Sequence, residues 1–342
     1  MDSNRQQDST DEVTRMVSNN VRKELGAPEA VLAGVQRGII DAASRNPKIL
    51  AVMSDLGHPA IEWFRQNAPN RMVELGIAEG NASTACGGLA SEGYIPTWYT
   101  LAFCLGRAYN QIRQCICVDR FNVKLFLASA GYFGTGGISH NYVEDIAAMR
   151  ALPNMVIVNP ADIVEAEKAV SVVMDYFGPV YYRLEASPPP AMVFEDGYEF
   201  ELGKATTVRD GRDATIVASG FMVTRSIQAA DLLRKENIST QVINMSTLKP
   251  IDEDIIVRAA KETGAIVTAE NHSIVGGLGE AVATVLAENY WAPLSRVGLD
   301  DEFSQSGVIT NEGVDQLGVH YRLMPEDIAA AVRKNITKKK AL

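Results

Sequence analysis

The chain holds few side chains suited to acid–base work, and one carboxylate stands apart by its setting. Glu79 lies in the run Arg71-Met72-Val73-Glu74-Leu75-Gly76-Ile77-Ala78-Glu79-Gly80-Asn81-Ala82-Ser83. After a polar loop at Asn67 to Asn70, this run begins as a short buried strand and then turns small and Gly-rich. Gly76, Ala78, Gly80, Ala82, Ser83 and Ala85 allow backbones to approach closely. A carboxylate in such packing is costly unless something pairs with it. Glu79 is therefore either a strand-end residue capping the next helix or a group whose protonation is put to use. Two histidines sit in loops. His58 follows Ser54-Asp55-Leu56-Gly57, and His140 closes the Gly- and aromatic-rich loop from Gly131, just ahead of Glu144-Asp145. The four cysteines are Cys86, Cys104, Cys115 and Cys117. Cys115-Ile116-Cys117 has neither the spacing nor the second pair of a zinc site. Buried free thiols are expected, as in a reducing cytoplasm.

Alternating elements must position these groups. From Pro28 the pattern is helix (Ala30 to Ser44), apolar strand (Ile49 to Met53), and the Asp55 loop at that strand's carboxyl end, where α/β folds place ligands. Then come the Glu79 run, a helix over Ala82 to Ala90, and Ile95-Pro96-Thr97-Trp98-Tyr99 leading into a long helix from Phe103 to Val118. A strand over Val123 to Ala128, the His140 loop, a helix over Val143 to Ala151, a strand over Met155 to Val158, a helix over Ile163 to Tyr176 and a strand over Val180 to Leu184 complete the first half. Ser187-Pro188-Pro189-Pro190 reads as a stiff linker. The second half repeats the alternation, with strands at Ala214 to Ala218, Thr240 to Asn244 and Gly264 to Glu270. Its helices are expected over Thr224 to Glu236, Asp252 to Thr263, the stretch up to Glu288 that Gly276-Gly277-Leu278-Gly279 opens, and Pro325 to Lys334. This predicts two three-layer α/β domains with mostly parallel sheets, over 26–190 and 198–342, after a polar extension at 1–25.

The 342 residues suit two domains. A net charge of −10 argues against nucleic acid or an anionic membrane as partner. No secretory segment and no apolar run of membrane-spanning length is evident.

The order of these pieces, from about Pro28 to Ile336, resembles the last two domains of transketolases and deoxyxylulose-phosphate synthases. The Glu79 run is similar to their catalytic-glutamate motif. His140-Asn141-Tyr142-Val143-Glu144-Asp145-Ile146-Ala147 through Met155 looks like their His-containing loop and following helix. Asn159-Pro160-Ala161-Asp162 with Glu165-Ala166 resembles the next strand–loop–helix. Glu270-Asn271-His272-Ser273 with Gly276 to Gly279 resembles the C-terminal domain signature. The resemblance implies that Glu79 contacts N1′ of the aminopyrimidine of thiamine diphosphate and acts as its acid–base handle. It implies that His140 works near the reacting carbon, and that Leu56 of the Asp55-Leu56 loop lines the cofactor while Asp55 stands behind it. It implies an aromatic on the pyrimidine face, where Leu101 and Cys104 stand here; either Leu101 packs on the ring or a shift of register brings Phe103 in. His58 and Arg183 are candidates to face the substrate. The Gly-Asp-Gly pattern that holds diphosphate and Mg²⁺ in such enzymes is missing from the sequence. The resemblance therefore implies the C-terminal subunit of a split transketolase, whose partner, the N-terminal subunit, carries the diphosphate and Mg²⁺, with two copies of each chain.

The phosphate-binding positions depart from the family pattern. They read Pro28, Pro59, Ala128 or Ser129, and Ala186, and the acidic position before His140 reads Gly136 or Thr135. Losing charge-assisted contacts of about 1.5–3 kcal/mol each implies either a donor or acceptor other than the usual phosphosugar (unphosphorylated, sulfonated or carrier-bound) or an anion site supplied by the partner chain. The rival readings are a β-type subunit of a 2-oxoacid dehydrogenase decarboxylase and a non-catalytic regulatory paralogue. The downstream half offers no catalytic residue; His272 reads as structural, and Gly276 to Gly279, without the Lys and Ser/Thr of a P-loop, as packing.

Overall fold

The computed structural model describes residues 20–132, 136–185, 189–306 and 311–341. Most of the polar extension, residues 1–19, therefore lies outside the described residues, as do Ser187 and Pro188 of the linker and the positions Thr135 and Ala186 named above.

The first half runs α1 (Val31–Arg45), β1 (Ile49–Met53), α2 (Ile61–Asn67), β2 (Met72–Glu74), α3 (Glu79–Ser91), β3 (Ile95–Leu101), α4 (Cys104–Gln111), β4 (Lys124–Ala130), α5 (Asp145–Arg150), β5 (Val156–Val158), α6 (Ile163–Asp175) and β6 (Val180–Glu185). The second half runs β7 (Thr206–Arg209), β8 (Ala214–Ala218), α7 (Met222–Arg234), β9 (Thr240–Asn244), β10 (Thr247–Lys249), α8 (Glu253–Thr263), β11 (Ile266–Ser273), α9 (Leu278–Asn289), β12 (Leu294–Leu299), α10 (Asn311–His320) and α11 (Pro325–Lys340). No helix among the described residues is long and apolar enough to cross a membrane.

The strands order as β10-β5-β6-β4-β3-β1-β2 in one sheet and β12-β11-β8-β9-β7 in the other. All pairings are parallel except β10 with β5 and β7 with β9. Such strands are buried on both faces and read as continuous apolar runs; Ile49 to Met53 is buried at every position. Period-two side chains divide the core into two layers. Ala51, Tyr99, Phe126 and Tyr182 face α1 and α6, while Val52, Trp98, Leu125 and Tyr181 face α3 and α4. Both sheets are thus covered on both sides, giving three-layer α/β halves.

Several elements differ from the sequence reading, each for a physical reason. Ile95–Leu101 is a central strand, not a lead-in to a helix. Pro96, which cannot donate to a ladder, masks it, although Thr97 to Leu101 pair fully with β4. The long helix is α-helical only to Gln111 and continues as a π-helical turn, Ile112–Cys117. There α3 passes so closely that a side chain on Gly87 would come within 2.2 Å of Cys115 O. The Met72–Glu74 strand is a partly exposed edge rather than buried. Glu270 to Ser273 lies inside β11 rather than after it. The final helix runs beyond Lys334, to Lys340. β10, from the second half, joins the first sheet beside β5, so the two halves share hydrogen bonds as well as the linker.

Candidate active site

Because β1, β2, β3 and β4 are parallel neighbours, the loops leaving their carboxyl ends gather along one edge. These loops carry Asp55, Glu79, Phe103 and His140. The sequence reading missed the residue that ties the first two together. Glu74 Oε1 accepts the N–H of Asp55 at 2.9 Å and that of Gly76 at 2.8 Å. Its signal would have been a carboxylate at a strand end between two tight turns: Asp55 has φ +56° and Gly76 φ +68°. Asp55 is exposed and Leu56 half-buried.

Glu79 is the first residue of α3 and only 6% exposed. The Cys104 thiol donates to its Oε1 at 3.4 Å, and Thr100 Oγ1 donates to Cys104 Sγ at 3.5 Å. Burial pushes the Cys104 thiol up to about 11, so it remains a protonated donor at neutral pH. Among the described residues no Lys, Arg or His forms an ion pair with Glu79. Phe103, one residue before Cys104, lies with its ring centroid 4.8 Å from that of His140, tilted by 59°. Ser139 Oγ donates to Gly136 O at 3.1 Å and lies 2.9 Å from His140 Nδ1. The Ser139 hydroxyl thus ties down the Nδ1 side of the His140 ring. Glu79, Cys104, Phe103 and His140 thus form one continuous group, with Leu101 ending the strand beside it.

Two candidates do not join it. His58 is 1% exposed. Its Nε2 lies 3.1 Å from Thr97 Oγ1, whose own proton goes to Leu50 O, and its Nδ1 accepts the Ala60 N–H at 3.2 Å. Burial lowers its pKa to about 3, so it is a neutral pin between the Asp55 loop and β3 rather than a substrate-facing group. Arg183 is fully buried. Its Nε and Nη2 donate to Asp145 at 2.6 and 3.2 Å, Nη1 to Glu185 at 2.5 Å, and Nη2 also to Asn271 O at 2.8 Å. Burial opposes its charge, but the two carboxylates outweigh that and hold it protonated. Every arm of its fork is occupied, so it is not open to a substrate.

The downstream half contributes packing. Glu270 accepts the N–H groups of Leu278 and Gly279 at 2.7 and 2.9 Å, so the Gly-rich turn seats a helix end on a carboxylate. His272 is fully buried, and burial lowers its pKa to about 4. A groove of about 570 Å³ lined by Ala283, Leu286, Trp291 and Lys338 is apolar and lacks an acid–base pair.

The residues present fit an aminopyrimidine. A buried carboxyl that receives only a thiol among the described residues retains acceptor capacity for a ring nitrogen, and apolar Leu101 and Phe103 stand at the end of β3 and on the turn that follows it.

Comparison with known proteins identifies the two halves of the chain. The transketolase pyrimidine-binding domain matches residues 30–187, and the transketolase C-terminal domain matches residues 203–312. A 6-deoxy-6-sulfo-D-fructose transketolase subunit from Clostridium sp. is 35% identical over 305 residues, covering 88% of this chain and 92% of that one. An apulose-4-phosphate transketolase subunit from Phocaeicola vulgatus is 36% identical over 288 residues, covering 82% and 92%. A solved split-gene transketolase, described as an inactive β4 tetramer, superposes with a TM-score of 0.83 at 38% identity, covering 92% of this chain and all of that one. The chain belongs to the transketolase family, and as a thiamine diphosphate-dependent transferase subunit it carries the family's pyrimidine-binding and C-terminal domains.

Proposed function

We propose that this chain is the pyrimidine-binding subunit of a two-component transketolase that moves a two-carbon ketol unit from a ketose donor to an aldehyde acceptor. The observation that carries this is the buried Glu79 carboxyl, joined to a thiol, on the same sheet edge as the Phe103–His140 ring pair. Thiamine diphosphate, when bound, supplies the electron sink for carbon–carbon cleavage and formation. Glu79 would hold the aminopyrimidine and exchange a proton at its N1′. Leu101 gives the ring an apolar face, while Phe103 is engaged by His140. Asp55 and Leu56 shape the adjoining wall. His140 Nε2 accepts or returns a proton at the donor's oxygens. The diphosphate and Mg²⁺ belong to the N-terminal partner subunit, with two copies of each chain in the assembly. Supporting this boundary, Ile77 and Ile138, on the loops that carry Glu79 and His140, are 72% and 58% exposed. Exposed apolar side chains at a site's rim suit a partner surface.

The donor or acceptor is not an ordinary phosphosugar. Arg183 is consumed by Asp145 and Glu185, and Pro28 and Pro59 stand at family phosphate positions. Two similar proteins are named for a sulfonated ketose and for apulose 4-phosphate. The test is to assemble the chain with its diphosphate-binding partner, thiamine diphosphate and Mg²⁺, and to compare unphosphorylated, sulfonated and phosphorylated ketoses as donors. Ketol transfer that favours one of the unusual donors is the expected result. Comparable turnover of xylulose 5-phosphate with ribose 5-phosphate rules out the altered substrate. Release of CO₂ from pyruvate without ketol transfer rules out the transketolase reading.

A further inference from the structure

The His140 loop is gripped by the downstream half at both ends. At its neck, the Gly131 N–H donates to Tyr142 O at 2.9 Å, closing the loop on itself. Asn271, from β11, lies against that neck. Its Oδ1 accepts the Tyr132 N–H at 3.1 Å. Its amide presses so closely on Gly131, which has φ +82°, that any side chain there would come within 2.2 Å of Asn271 Nδ2. The next residues of β11 hold the far end of the loop. The Ser273 N–H donates to Val143 O at 2.7 Å, and His272 Nε2 accepts the Ala147 N–H at 3.3 Å. Asn271 O also receives Arg183 Nη2, which clamps Asp145 at the start of the following helix.

We propose that the C-terminal half serves the reaction as the frame that positions His140, and that Asn271 is the positioning residue through which it acts. This rests on the role proposed above for His140. Asn271 is 1% exposed, and its Nδ2 has no hydrogen-bond partner among the described residues. A buried, unsatisfied donor is costly, and an apolar residue would fill the same space without that cost. What an apolar residue cannot do is accept the Tyr132 N–H while lying flat on Gly131. The amide is therefore explained by the loop it holds rather than by the packing of β11.

The test is a double-mutant cycle in the assembled two-component enzyme, with Asn271→Ala, His140→Ala and the pair. The probe is hydroxypyruvate with glycolaldehyde; together with one proton they give erythrulose and CO₂. Asn271→Ala is expected to lower kcat by about 10- to 100-fold, as a small misplacement of a catalytic group does, while thiamine diphosphate affinity is unchanged. In the His140→Ala background the same substitution should have almost no further effect. Losses that multiply in the double variant, or a cofactor affinity that falls in step with kcat, overturn the proposal. Unchanged turnover in His140→Ala alone refutes the role of His140 itself, and the positioning role with it. Tyr132→Phe is a milder second variant for use if Asn271→Ala does not fold. It removes only the hydroxyl that Arg225 Nη1 contacts at 2.8 Å, and it should show the same non-additivity with a smaller loss. Full additivity there also overturns the proposal. The chain has only four histidines, so ¹⁵N spectra of the imidazoles report His140 directly: its resonance should broaden or shift in Asn271→Ala, and an unchanged spectrum counts against the frame.

Discussion

Replacing Arg183 with methionine keeps most of the volume and removes the charge. Asp145 is fully buried and would be left with the Tyr181 hydroxyl, at 2.5 Å. Glu185 would keep Asn159 Nδ2 and the Phe221 N–H. Removing one member of a buried ion pair costs about 3–5 kcal/mol, because the other charge is stranded. The loss should carry its own pH signature. In the native protein burial disfavours the Asp145 charge, but Arg183 reverses this and depresses its pKa. That contribution is present above the unfolded carboxylate value and is lost only as pH falls through the lower folded one. Without Arg183, burial is opposed only by the Tyr181 hydroxyl and His272, and the folded pKa is expected to rise above the unfolded value. The sign then inverts: the folded form binds the extra proton, so stability recovers as pH falls. Urea denaturation of native and variant chains at pH 7 and pH 5 tests both parts. The expected result is a deficit of about 3–5 kcal/mol at pH 7 that narrows at pH 5, with an unchanged m-value. A deficit below about 1 kcal/mol, the range of exposed pairs, or one equal at both pH values, would refute the reasoning.

Other outcomes follow from the same contacts. His58→Phe should lower stability by about 1–3 kcal/mol, as the Ala60 N–H and Thr97 hydroxyl lose a partner. In the assembled enzyme the variant should leave the donor KM unchanged; thermal melts and initial rates check the two halves of that statement. Glu165 is fully buried and accepts from Ala161 N–H, Asn244 Nδ2 and the Tyr198 hydroxyl. Burial raises its pKa from 4.5 to about 7. The folded state therefore binds more protons between those values, and stability falls as pH rises through that window. Glu165→Gln, whatever its fixed cost, should flatten this fall when urea midpoints are compared from pH 4.5 to pH 8. Gly87→Ala should force α3 away from Cys115 O, destabilise the chain by about 1–3 kcal/mol as overpacking does, and weaken thiamine diphosphate binding by the assembly.

The strands that could be read from sequence are those whose signal is local. Ile49 to Met53, Ala214 to Ala218 and Thr240 to Asn244 match because burial on both faces writes an unbroken apolar or β-branched run. Ile95 to Leu101 escaped because Pro96 breaks the donor pattern, and β10 because so short a strand carries no period. The burial of Glu79 was visible from its setting, since a carboxylate among small residues violates a local rule. His58 and Arg183 were misread because some of the partners that hold them are remote in sequence. Thr97 lies 39 residues from His58, and Asn271 lies 88 residues from Arg183 in the other half. A loop histidine and a strand-end arginine look equally open until the partners that occupy them are known. Glu74 was missed because its work is to accept backbone N–H groups, which leaves no compositional trace.

The most direct test of the central claim needs no knowledge of the substrate. In the assembled enzyme with thiamine diphosphate and Mg²⁺, exchange of the thiazolium C2 proton for deuterium is followed by proton NMR, for the native chain and for Glu79→Gln. An amide of the same shape cannot trade a proton with N1′. The exchange should therefore slow by about 10²–10⁴-fold, the range of general acid–base catalysis, while assembly and thermal stability stay as in the native complex. Exchange at the native rate in Glu79→Gln would contradict the account.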